Sequence, residues 1–301
     1  MLALVEDYVK ASVLRPDTIR NYRATARMLS MHLGGDRPIT DIGQKDLQAV
    51  RDDILSRTSA QTYNHYRRHL SALFRYAVRR EYLVRSPLEY VRGAPVPRGS
   101  RKTVDRELLD RAIARLNDKF DWPVMGPGWF WIVVLRTLWF TGMRRRQLLA
   151  LRWKDIDFDE LIIRFRVEGS KTRREWNIPM STKIEPDLLR LKRETEAATD
   201  GPVIPSSQVF RWPLFATPRR HLKHVDMTEW QVDRFFKRLS AALEAPISSH
   251  RIRHTIATNL ANKTRDVGLV QELLGHTDIR TTMGYIHPDL GQMRRMIETL
   301  E

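Results

Sequence analysis

Apolar residues recur at helical spacing through the first third of the chain. Pro16 suits the first turn of one such segment, and Ser59 is a candidate N-cap for another. The apolar positions are Leu4, Val5, Tyr8 and Val9; Ile19, Tyr22 and Leu29; Leu47, Val50, Ile54 and Leu55; and Tyr63, Tyr66, Leu70, Leu73, Phe74 and Ala77. This pattern predicts a small bundle of four or five helices up to about residue 91.

Helical patterns also dominate beyond residue 104, with one change of period. Residues 161–167 alternate apolar and polar side chains, a second short alternation includes Trp176 and Ile178, and residues 169–172 read as the turn between them. Helices are predicted at 105–117, 129–141, 148–153, 188–196, 228–243, 251–261, 267–274 and 291–300. The sequence therefore predicts a mainly α fold with one small antiparallel β-sheet, an α+β arrangement.

Between these two parts, residues 92–103 read RGAPVPRGSRKT, with two prolines, two glycines and no periodicity. Such a segment is typical of an interdomain linker. We predict an N-terminal helical domain at 1–91, a basic linker at 92–103 and a second domain at 104–301. The linker's charge suits contact with a phosphate backbone, and it equally suits simple exposure to solvent.

Charge adds a candidate partner to this picture. The chain has 301 residues and a formal net charge of +16, and both parts are basic: 17 Lys and Arg against 10 Asp and Glu in residues 1–100, and 35 against 26 in the remainder. A field of this sign along the whole chain favours a polyanion such as nucleic acid. The alternative is a basic protein whose charge serves solubility.

Other sequence features exclude several classes of protein. The chain has no cysteine, which excludes disulfides, thiolate metal sites and cysteine nucleophiles. Residues 1–10 contain Glu6 and Asp7 where a secretion signal would be basic and then apolar, and the apolar stretch at 129–140 is too short to span a bilayer. We expect an intracellular soluble protein with no membrane contact.

Four short stretches contain residues suited to phosphate chemistry, and each is weak evidence alone. Arg144 follows an apolar helix; HRIRHT, at 250–255, places two histidines and two arginines at a helix start; His276 follows Leu274 and Gly275; and Tyr285 lies nine residues further on. Convergent Arg and His at a helix start suit a phosphate. The competing interpretations are a surface arginine, a solvated basic face, a helix-capping histidine and a packing tyrosine.

Taken in order, these stretches resemble the tyrosine recombinase, or phage integrase, family. The strings that carry the resemblance are TGMRRRQLLALRW, GSKT, HRIRHT, LGH and TTMGYIHP, within residues 141–288. The corresponding site residues are Arg144, Lys171, His250, Arg253, His276 and Tyr285. Agreement of five short motifs in order is far more specific than any one of them. The layout of a small helical domain, a linker and a larger domain also matches that family.

The resemblance implies an enzyme that breaks and rejoins DNA strands. In the family a tyrosine attacks a phosphodiester, giving a 3′-phosphotyrosyl intermediate and a free 5′-hydroxyl, and Tyr285 matches that nucleophile. Arg144 and Arg253 match the two arginines that clamp the phosphate. The hairpin lysine, Lys171, would protonate the leaving 5′-oxygen.

Two histidines complete the implied site. His250 would act as the acid or base near Tyr285, and His276 would donate a hydrogen bond to a nonbridging phosphate oxygen. The bond energy stays in the phosphotyrosine, so neither ATP nor a metal is required and no cofactor is expected. Gln147 departs from the family, which usually has an acidic residue three positions after the first arginine; we expect modest retuning.

The implied partner is double-stranded DNA. The first 91 residues resemble the family's SAM-like core-binding domain, which forms half of a clamp around the duplex. Candidate DNA-binding residues are Arg67, Arg68, Arg75 and Arg79 on the fourth helix, and Arg173 and Arg174 beside the hairpin turn. The family assembles as a tetramer on two DNA sites, often with DNA-bending accessory proteins. The amphipathic C-terminal segment would pack on a neighbouring protomer, or back on its own domain.

The leading hypothesis is a site-specific recombinase serving integration, excision, inversion or resolution, encoded by a bacterium, phage or mobile element and located with the nucleoid in the cytoplasm. Two alternatives stay open: a DNA-binding accessory protein of the same fold, and a type IB topoisomerase-like nicking and closing enzyme. The retained site residues argue against the first, and the separate helical domain argues against the second. The DNA target sequence depends on groove contacts that a sequence does not reveal.

Overall fold

The computed structural model describes residues 1–96, 102–118, 126–167, 175–216, 225–264, 266–285, 294 and 297–299. Contacts between Cα atoms divide the chain into two compact units, Met1–Ser100 and Arg101–Glu301, each with its own hydrophobic core. We call them the N-terminal unit and the C-terminal unit. The predicted mainly helical fold with one small antiparallel sheet is confirmed.

The N-terminal unit contains the four helices that the sequence predicted. They are α1 (Leu2–Lys10), α2 (Pro16–His32), α3 (Gln44–Arg57) and α4 (Ala60–Arg79), with a 3-10 turn at Ile39–Asp41. Pro16 occupies the first turn of α2, and the Ser59 side chain accepts a hydrogen bond from the Thr62 N–H, as expected of an N-cap. Leu73 and Phe74 of α4 are fully buried in the core between the helices.

The C-terminal unit is built from eight described helices around one sheet. The helices are α5 (Arg106–Asn117), α6 (Gly128–Thr141), α7 (Arg145–Ala150), α8 (Glu185–Thr199), α9 (Glu229–Ala242), α10 (Ser249–Thr264), α11 (Val267–Leu274) and α12 (Ile279–Met283). Helix α6 is mostly apolar, with Arg136 as its one charged residue, and it contributes to the core, where its Trp131 stacks on Phe235 of α9 with ring centroids 3.9 Å apart.

The sheet contains the predicted hairpin strands and one further strand. Strands β1 (Ile156–Asp157), β2 (Ile162–Phe165) and β3 (Trp176–Pro179) are antiparallel in the order β1-β2-β3. Ile163 pairs with Ile178 and Phe165 with Trp176, so that the buried residues of both strands face the core. The predicted turn at 169–172 lies outside the described residues.

One predicted helix was placed wrongly. The sequence predicted it at 148–153, but α7 is Arg145–Ala150 and a 3-10 turn follows at Trp153–Asp155. The reason is a cap: the Gln147 side chain accepts a hydrogen bond from the Arg144 N–H at 2.6 Å, which starts the helix three residues earlier. Most of the helix predicted at 291–300 lies outside the described residues. None of the described helices is both long and apolar enough to cross a bilayer.

Candidate active site

Arg144 is placed by the junction between α6 and α7. Gly142 ends α6 with φ +60°, and a Cβ there would come 3.1 Å from the Leu274 side chain, so glycine is favoured on both counts. Arg144 follows as the N-cap of α7. Its guanidinium Nη2 donates to the Gly275 carbonyl at 3.4 Å, and Nη1 is buried with no acceptor among the described residues.

Arg253 lies on α10 and is buried, with 4% of its surface exposed. Its guanidinium bridges the α6–α7 junction and the end of α11. Nη1 donates to the Gly142 carbonyl at 2.6 Å, and Nη2 donates to the Leu274 carbonyl at 2.7 Å. These carbonyl acceptors hold the guanidinium in one orientation without neutralising its charge. Such an arginine is pre-oriented towards an anion.

His276 follows the left-handed Gly275 that ends α11. Its Nε2 lies 3.0 Å from Arg253 Nη2, and its Nδ1 lies 2.9 Å from Thr282 Oγ1. Because a guanidinium only donates, Nε2 of His276 must be the acceptor, and the ring is then neutral with its proton on Nδ1. The predicted role for His276 was donation to a phosphate oxygen; in this arrangement Nδ1 is the donor, and it faces Thr282.

Tyr285 follows α12 and is 3% exposed. Its ring is parallel to the His276 ring, with an interplanar angle of 8° and centroids 6.0 Å apart, and it packs in a small cluster with Ala257 and Leu274. The phenolic oxygen lies 2.8 Å from His254 Nδ1. Packing and this hydrogen bond together fix the phenol's position.

The two arginines and the phenol share one electrostatic environment. Burial lowers the pKa of Arg253 to about 9, and the nearby Arg144 charge lowers it as well. Burial also lowers the pKa of Arg144. A negative charge on Tyr285 acts in the opposite direction on both arginines. Like charges held together in a desolvated place are relieved by a bound anion, and phosphate is the natural candidate.

Four of the six candidate residues therefore lie together: Arg144, Arg253, His276 and Tyr285. His250 is joined to them at one remove, because its Nε2 lies 2.8 Å from His254 Nε2 and not beside the phenol. Lys171, with Arg173 and Arg174, lies outside the described residues.

Sequence reasoning missed His254. His254 lies within the HRIRHT string but was not among the predicted site residues. The available signal was its spacing, since His254 lies one helical turn after His250 and therefore on the same face of α10.

The candidate DNA-binding arginines of α4 differ from one another. The Arg67 side chain is partly buried and donates through Nε to the Val91 carbonyl at 2.7 Å, so it holds the end of the bundle together. Arg75 is exposed and donates to the Ser71 carbonyl of its own helix, and Arg68 and Arg79 are exposed. Three of the four thus present their charge to solvent.

The chemistry available here is covalent phosphoryl transfer. Two guanidiniums can bind a phosphate, a phenol can attack it, and imidazoles can accept or return the proton. Within the described residues, no group of three or more His, Asp or Glu side chains is placed to hold a metal ion.

Comparison with known proteins agrees with this chemistry. The model of the phage integrase family matches residues 132–291, and that of the phage integrase central domain matches residues 3–94. A Pseudomonas aeruginosa protein provisionally named tyrosine recombinase XerC is 31% identical over 98% of this chain and 70% of its own length. Its Pseudomonas syringae counterpart is also 31% identical, and this chain spans 63% of it. Tyrosine recombinase XerD of Shewanella oneidensis is 24% identical over 95% and 90% of the two chains.

Solved structures show the same fold. The integrase of transposon Tn1549, solved with a circular intermediate DNA, superposes with a TM-score of 0.75 at 19% identity over 99% of each chain. A lambda integrase dimer bound to a core site gives 0.72 at 19% identity over 95% and 94%. The two family models and the Pseudomonas aeruginosa relative confirm the predicted family: the chain belongs to the phage integrase family of tyrosine recombinases, and it is a site-specific recombinase.

Proposed function

We propose that Tyr285 is the nucleophile that breaks and rejoins DNA strands, and that Arg144 and Arg253 bind the phosphate it attacks. The observation that carries this proposal is the placement of a buried phenol within electrostatic reach of two guanidiniums, one of which is 4% exposed and held by two carbonyls. Fixed cations of this kind stabilise the charge that develops on phosphorus in the transition state.

Strand breakage exchanges one bond to phosphorus for another. The Tyr285 oxygen loses its proton and forms a bond to phosphorus, while the bond from phosphorus to the 5′-oxygen breaks. The leaving oxygen takes up a proton, for which Lys171 is the proposed donor by resemblance to the family. The product is a 3′-phosphotyrosyl enzyme with a free 5′-hydroxyl. Attack by a 5′-hydroxyl of another strand reverses the chemistry and releases Tyr285.

The partner is double-stranded DNA in this proposal. The net charge of +16, the exposed arginines of α4 and the DNA present in structures of similar fold support it. The N-terminal unit is the proposed core-binding domain, and the segment around 92–103 is the proposed linker. A tetramer on two DNA sites, location at the nucleoid in the cytoplasm and a role for DNA-bending proteins are part of the same proposal, resting on the family alone.

The test begins by finding the DNA site. The purified protein is incubated with genomic fragments of the cell that encodes it, denatured in detergent, and the DNA that stays attached is sequenced. A nicked duplex containing that site then traps the covalent intermediate, because the short cleaved strand diffuses away.

We expect the adduct with the unmodified protein and its complete loss in Tyr285→Phe, with DNA binding retained. Tyr90→Phe is the matched control, because Tyr90 is 64% exposed in the N-terminal unit and should leave the adduct intact. An adduct that persists in Tyr285→Phe would refute the assignment. A substrate with two sites distinguishes exchange of strands from mere relaxation of supercoils.

A further inference from the structure

Tyr285, His254 and His250 form a continuous hydrogen-bonded chain. The phenolic oxygen lies 2.8 Å from Nδ1 of His254, and Nε2 of His254 lies 2.8 Å from Nε2 of His250. The two imidazole rings are 4.1 Å apart between centroids and are inclined at 72°. Both histidines belong to α10, four residues apart, so one rigid element sets their spacing.

The geometry restricts where the protons can be. Of the two facing Nε2 atoms, one must donate and the other accept, because two protonated or two bare nitrogens repel at this distance. If His254 is neutral and accepts from the phenol through Nδ1, its own proton is on Nε2. It then donates to Nε2 of His250, whose proton is on Nδ1. Both hydrogen bonds are satisfied by this arrangement of neutral rings, and it is the arrangement in which the phenol donates its proton to His254.

These hydrogen bonds connect the buried phenol of Tyr285 to the exposed imidazole of His250. Tyr285 is 3% exposed, whereas the His250 side chain is exposed and His254 lies between the two. A phenol is protonated at neutral pH and is then a poor nucleophile, so its proton must be removed during attack. The same proton must return when the DNA strand is rejoined and Tyr285 leaves.

We propose that His254 and His250 form a proton relay for Tyr285, with His254 as the catalytic base and His250 as its connection to solvent. This rests on the proposed function. As the Tyr285 oxygen bonds to phosphorus, its proton passes to His254 Nδ1, and the His254 Nε2 proton passes to His250 Nε2. His250 is then an imidazolium that releases its Nδ1 proton to water. Rejoining runs the same transfers in reverse.

The surrounding charges favour this direction of transfer. The charged and titratable groups described around the contact between Tyr285 and His254 are Arg144 from the α6–α7 junction, Arg253 and His250 on α10, and His276 after α11. Two guanidiniums disfavour a positive charge on His254 beside them. Passing the proton on to exposed His250 places that charge in water.

The relay predicts a pH dependence of definite sign. His254 can accept from the phenol only while both imidazoles are neutral. Protonation in the range where imidazoles titrate, about pH 5 to 8, therefore blocks the chain. The rate of adduct formation is expected to fall as the pH is lowered through that range and to level off above it.

The decisive variant is His254→Asn, measured as the single-turnover rate of adduct formation on the nicked duplex. Asparagine places an amide oxygen near the position of Nδ1, so it can accept the phenol's hydrogen bond but cannot take its proton. We expect the rate to fall by about 10²-fold or more and the acidic limb of the pH profile to disappear. His250→Gln, which keeps an acceptor near Nε2, should show a smaller fall and keep an acidic limb that depends on His254 alone.

A modified substrate separates this role from leaving-group protonation. A duplex with sulfur in place of the bridging 5′-oxygen expels a thiolate, which needs no proton donor. The His254→Asn defect is expected to persist on that substrate, because it affects the attacking oxygen. The matched control is His32→Asn, a histidine paired with Asp53 in the N-terminal unit, which should leave rate and pH profile unchanged.

Two results would overturn the relay. One is a wild-type rate and pH profile in His254→Asn, with thermal melting and DNA binding confirming that it is folded. The other is full rescue of that variant by the sulfur-bridged substrate, which would place His254 on the leaving group. Failure of the proposed function is recognised separately, because the unmodified protein would then form no Tyr285 adduct at all.

Discussion

The two units of this chain differ in what they bury. Within the described residues, the N-terminal unit buries aliphatic and aromatic side chains and a single polar one, Thr25. The C-terminal unit buries a similar apolar core and, in addition, two arginines, a histidine and an aspartate: Arg211, Arg253, His276 and Asp155. Burying charged and polar groups costs free energy unless each is hydrogen-bonded. The unit that holds the proposed active site is therefore the one that carries this cost.

The hydrogen bonds that offset the cost of burial also determine the geometry of the proposed site. The two terminal nitrogens of Arg253 donate to main-chain carbonyls at a helix junction and at a helix end, and His276 is held by Arg253 and Thr282. The same bonds that offset burial fix the direction of each side chain. In the N-terminal unit the corresponding cations stay in water, where their contribution is long-range and screened by salt.

The largest expected difference between the two units follows the removal of Arg253, which is buried in the C-terminal unit. Arg253→Ala should lower the single-turnover rate of adduct formation by about 10²- to 10³-fold. It should also destabilise the fold by roughly 2 kcal/mol, because the Gly142 and Leu274 carbonyls lose their donor. Both are measurable, the first on nicked DNA and the second by urea unfolding. Arg136→Ala, which breaks an ion pair with Asp187 between α6 and α8, is the control and should leave the rate unchanged. A normal rate in Arg253→Ala would mean that the phosphate binds elsewhere.

A cavity in the core of the N-terminal unit should lower stability and leave the rate of adduct formation unchanged. Leu73 is fully buried on α4, and Leu73→Ala should reduce stability by about 2–5 kcal/mol. At a temperature where the variant stays folded and with DNA saturating, the adduct rate should match that of the unmodified protein. If the rate falls as steeply as it does in Arg253→Ala, the division of roles between the units is wrong.

The smallest expected effect concerns the exposed arginines of α4. Replacing both Arg68 and Arg75 with alanine should weaken DNA binding and reduce the slope of log affinity against log salt by about 1 for each phosphate that the protein no longer neutralises. Titration of labelled duplex at several salt concentrations measures that slope. Arg20→Ala removes one positive charge from α2, where Arg20 pairs with Asp17, and should leave the slope unchanged. An unaltered slope in the double variant would remove α4 from the proposed DNA surface.

Much of the fold could be predicted because local pattern and burial agree. The apolar period of α4, with its Ser59 cap, and the alternation of β2 and β3 survive in the structure almost as predicted. The exceptions are short. Strand β1 has two residues and α12 has five, too few for a period to be recognised, and α7 begins early because of the Gln147 side chain. The local sequence pattern therefore predicts the secondary structure around the proposed site less well than it predicts that of the N-terminal helical bundle.

The sequence alone determined the helical periods, the excess of positive charge and the ordered set of Arg, His and Tyr residues that shows the family. Only the tertiary structure decided which histidine touches the phenol. That contact joins residues 31 positions apart, His254 on α10 and Tyr285 after α12. It depends on the rotational phase of α10 and on the packing of Tyr285 in one buried cluster with Ala257 and Leu274. Their spacing in the sequence places His250 and His254 on one face of α10, but long-range packing determines which of the two contacts the phenol.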